Sequence, residues 1–447
     1  MNRWLMKLSL ALVALGFVSG AQAVEIQHWT TDEGARVYFY PAHSIPMLDV
    51  RVVFDAGSAR DKRSGTAAMT QGLLDMGAGE WDANAIAEQL ESVGAQLGGS
   101  VGRDSAALSL RSLTDESRLD AALTVFTKVL SQPTFPQADF EREQARLIQA
   151  LRQQKQQPGA QVGKAYYRAL YGDHPYAAPS SGDEESVSLI RRVHLFHFHK
   201  RYYVANNAVI ALVGDVDRAR AEAVAARISS QLREGEAAPE LPEVVAPSAS
   251  QQRIEMDTQQ SHILMGLPAV RRGGPDYYAL YVGNHIFGGS GFAARLMQRI
   301  REDRGLAYSV YSRLSPMSEL GPFTMGMQTR NEQREEAIDL LRSNLREFIQ
   351  EGPTEEELQK SLDNIIGSEA LRTDKNAELV RYLAMIGFYE LPLDYLDTFS
   401  DKVREVSRDD VKAAWQRHID PDNLVQVVVG ASVEAAPEKA PTSEAPQ

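Results

Sequence analysis

The 447-residue sequence has no cysteine. Disulfide staples are therefore excluded, and so is lipid attachment at a cleaved N-terminal cysteine. Histidine is scarce as well: nine in all, with none between His43 and His174. After residue 23 no run is apolar enough to span a bilayer. Positive charge is the minority sign, with 47 Lys+Arg against 60 Asp+Glu and a formal net charge of −13. That balance argues against nucleic acid or an anionic membrane as the main partner, and it is compatible with basic peptides.

The N-terminus reads as a secretory signal over residues 1–23. Arg3 and Lys7 precede the apolar "LSLALVALGFV" (8–18), which is too short to cross a membrane, and "AQA" (21–23) is a small-x-small cleavage site. Its removal leaves 45 basic against 60 acidic residues, a charge of −15. An exported, disulfide-free soluble product suits a periplasm.

A hydrophobic fraction of 43% and a charged fraction of 24% are those of a folded protein, and the length suits two domains. "EGEAAPELPEVVAPSASQQ" (234–252) has no helical or strand period and reads as a linker. "EAAPEKAPTSEAPQ" (434–447) reads as a disordered tail, placed at 433–447. The segments before these runs are alike. "FHFHKRYYVANNAVIALVGDV" (196–216) and "KAAWQRHIDPDNLVQVVVGAS" (412–432) each give a helix end, a turn, then Asn, six residues and Gly. The apolar run inside each reads as a buried strand. "LDVRVVFDAGS" (48–58) and "HILMGLPAV" (262–270) are matching strand-like starts. Helical patterns occupy 82–94, with Asp82 as N-cap and Gly94 as stop, 140–157, and the region around 369–392. The expectation is an α+β fold of two homologous domains, 24–233 and 253–432. Each is a mostly antiparallel sheet with helices packed on it, and the two face each other as a clamshell.

The ordered set of "GSARD…GTAAMTQGLLDMGAGEWDANAIAEQLESVGAQLGGSVGRDSAALSL", "HPYAAPSSGDEESV", "FHKRYYVANNAVIALVGDV" and "GGSGFAARLMQRIREDRGLAYSVYS" resembles the pitrilysin–insulinase–processing-peptidase family, over nearly all of residues 25–432. Active members carry an inverted His-x-x-Glu-His zinc motif. Two His at i and i+4 share a helix face for Zn²⁺, a distal Glu completes the ligands, and the motif Glu acts as base. Here the matching residues are Ala68, Met69, Thr70, Gln71 and Gly72. The distal position falls at Gln149 or Ala150. No zinc is expected in this chain.

The resemblance also implies a second-half signature. Arg301 and Tyr308, in "RIREDRGLAYSV" (299–310), would grip the substrate backbone and stabilise the tetrahedral oxyanion. Gly288, Gly289, Ser290 and Gly291 resemble the family's flexible glycine-rich loop and would touch substrate. The alternative for the pair is an ordinary ion pair of Arg301 with Glu302 or Asp303, and a Tyr that caps a strand. Two-chain members split the work the same way, one subunit holding zinc and the other the Arg/Tyr pair. The expectation is a non-metal subunit of an exported heterodimeric zinc endopeptidase acting on unfolded peptides. The alternative is a non-catalytic binding or scaffold protein on the same fold.

Other histidines offer less. In "HLFHFH" only His194 and His197 can share a helix face, and no third ligand is evident near them or near His199. His174 and His285 read as structural. Ser290 has no recognisable base.

Overall fold

The computed structural model describes residues 25–369 and 373–432. The signal-like segment 1–23 and the tail 433–447 lie outside the described residues. Two sheets organise the chain. The first contains β1 (Gln27–Thr30), β2 (Arg36–Pro41), β3 (Met47–Phe54), β6 (Gln96–Val101), β7 (Ala106–Leu113) and β8 (Ala208–Gly214), in the order β1-β2-β8-β3-β7-β6. A two-residue ribbon, β4 (Gly77–Ala78) with β5 (Trp81–Asp82), stands apart. The second sheet contains β9 (Ser250–Glu255), β10 (Gln260–Val270), β11 (Ser309–Leu314), β12 (Gly321–Arg330) and β13 (Val425–Gly430), in the order β11-β12-β10-β13-β9.

The sheets repeat one topology. β8 runs parallel to β2 and antiparallel to β3, and β13 runs parallel to β9 and antiparallel to β10. β3, β7 and β6 then pair antiparallel in turn, as do β10, β12 and β11. Two homologous α+β units are thus joined in one chain. β9 begins at Ser250, inside the segment that sequence reading assigns to linker up to 252. The strand is polar and mostly exposed at a sheet edge, so it shows no apolar alternation.

Both halves obey the same burial logic. β8 is buried along its whole length. Ala208, Ile210 and Leu212 face a core built with Leu119, Phe126, Leu195 and Val224 from helices of their own half. Val209, Ala211 and Val213 face the other way and join the second half's core. A strand covered on both faces reads as an unbroken apolar run, which is why "AVIALV" carries no alternation. β13 copies this arrangement, with Val425, Val427 and Val429 on one face and Val428 on the other. The second core centres on Trp415, whose ring meets Phe348 edge-on at 4.4 Å and Phe287 and Phe323 at 5.3 Å.

The covering helices are exchanged between halves. The Pro158–Tyr171 helix of the first half packs on β10 and β13. The Asn376–Phe388 helix of the second half packs on β3, β8 and β2. The Tyr166 hydroxyl donates to the Phe323 carbonyl at 3.3 Å, and Gly387 lies against the Tyr38 ring and Val209. These exchanged helices hold the two halves together. A buried polar knot ties the same seam: Asp104 accepts from the hydroxyls of Tyr176 and Tyr389, the latter at 2.9 Å, and from the Ser318 amide at 2.9 Å.

Candidate functional site

The helix Thr66–Gly72 occupies the position where the resemblance puts a zinc motif. Asp61 anchors its start by accepting from the Gly65 and Ala67 amides, each at 2.8 Å. Burial pushes the Asp61 pKa up to about 7. Gln71 is buried and accepts a 3.1 Å hydrogen bond from the Tyr203 hydroxyl. Its amide nitrogen lies over Gly99 of β6, so close that a Cβ there would sit 2.3 Å away. Ala68 is half-buried and Gly72 exposed, one turn apart; Gln149 and Ala150 are exposed on the helix Gln137–Gln154.

The donor set here is a methyl, a carboxamide already committed to Tyr203, and a glycine with no side chain. Such a set does not fit zinc, which takes imidazole, thiolate or carboxylate ligands. Among the described residues, no three His, Cys, Asp or Glu side chains are grouped to hold a metal ion. None of their helices is long and apolar enough to cross a membrane.

Arg301 and Tyr308 occur where a helical segment gives way to the edge strand β11. Arg301 lies on a widened turn, Met297–Glu302, closed by the Asp303 amide reaching back to Gln298 at 2.9 Å. Such i→i+5 turns recur at functional positions. Tyr308 is 74% exposed, and its amide donates to the Gln328 carbonyl at 3.1 Å. The Arg301 guanidinium lies 5.9 Å from the Tyr308 ring and 5.2 Å from that of Phe292, which is also 74% exposed. Both distances are within cation–π range. The ion-pair alternative is partly met: Arg301 reaches Glu302 only at 3.7 Å, while Asp303 instead receives the Gln298 amide at 2.9 Å.

The glycine segment is two structures. Gly288 and Gly289 end a helical turn, His285–Gly289, that continues the helix Tyr277–Asn284. Gly288 is packed on β11, where a Cβ would come within 2.3 Å of the Ser312 nitrogen. Only Ser290 and Gly291, the latter at φ +65°, form the turn leading to Phe292. Sequence reading misses Phe292; its signal is a large aromatic directly after the glycines.

The histidine-rich helix, Arg192–Tyr202, holds no metal-like triad. His199 is buried, its Nε2 bonded to the Leu130 carbonyl at 2.8 Å and its ring stacked on Tyr203. His194 and His197 border a surface pocket. His174 contacts the Pro242 carbonyl at 2.9 Å, and His285 contacts Ser361 at 2.8 Å.

Comparison with known proteins agrees with this picture. Residues 40–184 match the family described as insulinase (peptidase family M16), and residues 190–365 match the peptidase M16 inactive domain. A "non-peptidase homolog YmxG" of Helicobacter pylori is 26% identical, covering 95% of this chain and 98% of its own. An uncharacterized zinc protease of Mycobacterium leprae is 30% identical over 68% of this chain and 69% of its own. The crystal structure of a peptidase M16 inactive domain from Pseudomonas fluorescens superposes with a TM-score of 0.90 at 39% identity, over 92% of this chain and 100% of that one.

Proposed function

The chain belongs to the M16 (insulinase) peptidase family, and from that premise we propose that it is the non-metal subunit of an exported heterodimeric zinc endopeptidase. Its contribution is Arg301 and Tyr308, presented to an unfolded peptide at a zinc site that a homologous partner carries. One observation carries the reading: Tyr308 stands exposed beside a guanidinium with only a loose ion pair, in a chain whose own metal positions hold no ligand. An exposed tyrosine ring adds little to folding, so its placement next to Arg301 calls for another role.

The chemistry follows from the two groups. A guanidinium beside two aromatic rings can donate paired hydrogen bonds to a peptide carbonyl or carboxylate. A phenolic hydroxyl can donate to the oxyanion that develops on the attacked carbonyl. The partner's zinc, when bound, would supply Lewis-acid activation of water. The turn at Ser290–Gly291 would lie along the same peptide. Residues 1–23 support export, and with it a periplasmic location.

A second reading is a non-catalytic binding or scaffold protein, favoured by the similarity to the H. pylori non-peptidase homolog. Purification from the native source separates the two. The first reading expects a co-purifying homologue with stoichiometric zinc and peptidase activity that falls on Tyr308→Phe. A zinc-free preparation, or a zinc-bearing complex indifferent to Tyr308→Phe, would favour the scaffold.

A further inference from the structure

A concave site on this acidic chain is lined by positive charge. The segment before the Thr66–Gly72 helix and the Arg192–Tyr202 helix enclose a pocket of about 340 Å³. Lys62, Arg63, His194, His197 and Arg201 border it, with Phe198 on its apolar side, and no Asp or Glu lines it. The volume suits a small organic molecule.

Among the described residues, the charges of Lys62, Arg63 and Arg201 are not answered by a carboxylate in the pocket. Arg60, which also lines the pocket, is bound by two hydrogen bonds to Asp55 and has its charge answered there. Among the described residues, Lys62 and Arg63 have no carboxylate partner. Arg201 is held in place by the carbonyls of Glu236 and Ala237, at 2.8 and 3.1 Å, which orient the guanidinium without cancelling it. His194 accepts the Arg191 amide on Nδ1 at 2.9 Å, so the neutral ring carries its proton on Nε2 as a donor. The crowding is felt by His194, whose pKa is lowered first by burial and then by the charges of Arg63, Arg191 and His197. Like charges gathered in a concave site repel one another unless an anion joins them.

We propose that this pocket binds a multiply charged oxyanion of the phosphate class, borne by a small organic molecule whose apolar part lies on Phe198 and Tyr202. The site is separate from Arg301 and Tyr308 and does not rest on the peptidase reading. Calorimetric titration of the full mature chain with pyrophosphate, with phenyl phosphate and with inorganic phosphate, at fixed ionic strength and without divalent metal, tests it. One saturable site is expected, with phenyl phosphate binding more tightly than inorganic phosphate. The double variant Lys62→Ala/Arg63→Ala should weaken binding by about tenfold or more, since charge-assisted contacts are lost. Lys200→Ala, exposed on the Arg192–Tyr202 helix but outside the pocket, should change it less than about twofold. Thermal melting of each variant verifies folding. Three results would overturn the proposal: no saturable binding at millimolar ligand, equal loss on Lys200→Ala, or unchanged affinity in the folded double variant.

Discussion

The Asp104 carboxylate and the Tyr389 hydroxyl, 285 positions apart in the chain, meet in a 2.9 Å hydrogen bond at the seam between the two halves. Burial and the neighbouring negative charge raise the pKa of Tyr389, and of Tyr176 beside it, so both hydroxyls remain donors. Asp104→Ala would leave two phenols and the Ser318 amide without an acceptor. The expected loss is at least about 3 kcal/mol, at roughly 1–3 kcal/mol per stranded donor. Tyr389→Phe should cost less, on the order of 1.5–3 kcal/mol, because only one bond to the carboxylate is removed. Urea unfolding of the three proteins measures both.

Gln71 and Gly99 should behave as a coupled pair. Gly99→Ala would press a methyl into the Gln71 amide and destabilise the fold. Gln71→Ala alone should cost about 1–3 kcal/mol by stranding the buried Tyr203 hydroxyl. In the double variant the methyl meets no amide, so the two costs should fail to add by roughly 0.5–3 kcal/mol. Additive costs in a double-mutant cycle would show that β6 is free to move away from the helix. The same preparations should contain no stoichiometric zinc.

With a zinc-bearing partner present, Tyr308→Phe should lower turnover by about 10²–10³, the usual effect of one lost oxyanion donor. Arg301→Ala should weaken peptide binding as well. Phe292→Ala removes one of the two rings beside the guanidinium and should act mainly on KM, by the few-fold that about 0.5–1 kcal/mol provides. Steady-state cleavage of an unstructured peptide, with size-exclusion chromatography for assembly, separates these effects. Wild-type rates in all three variants would make the cluster structural.

His199 predicts a pH dependence of stability. Burial pushes its pKa down to about 4, against an ordinary 6.5. Between those values the unfolded chain takes up a proton that the folded chain refuses. Stability from this group is therefore complete above pH 6.5 and is lost as pH falls towards 4, by about 3 kcal/mol. Asp61, raised to about 7 from 3.8, slopes the other way, losing stability as pH rises through that window. Subtracting the urea-unfolding curve of His199→Gln from that of the wild type isolates the histidine. A difference that is flat from pH 6.5 to 4 would contradict the assignment.

Part of this architecture is legible in the amino-acid sequence alone. The apolar runs ending at Gly214 and Gly430 form β8 and β13, because a strand covered on both faces favours apolar side chains throughout; the one polar position, Gln426, is buried with its amide oxygen accepting from Arg342 at 3.0 Å. The lost zinc motif can be read from Ala68, Gln71 and Gly72, because metal ligation depends on residue type. What stays hidden is three-dimensional. Val162, Tyr166 and Leu170 recur at helical spacing and announce a buried face, but spacing does not say that the sheet beneath belongs to the other half. Asp104 lies in the polar stretch "GRDS", yet it is buried beside Tyr176 and Tyr389 from distant segments. Lys62 and Arg63 join His194 and His197 only once the segment before the Thr66–Gly72 helix is packed beside the Arg192–Tyr202 helix.

The exchange of helices also bears on how such a chain could have arisen and whether it can be undone. A first half made alone would turn Tyr38, Val53, Val209, Ala211 and Val213 to water, an adhesive surface with nothing to cover it. Nor could the second half stand alone, since Val425, Val427 and Val429 need Tyr166 and Leu170 above them. The pair is a dimer on a leash, and cutting the leash between residues 234 and 249 should leave two fragments that still travel together. Duplication of this kind is a ratchet: once each copy wears the other's helix, neither gene fragment can return to independent life.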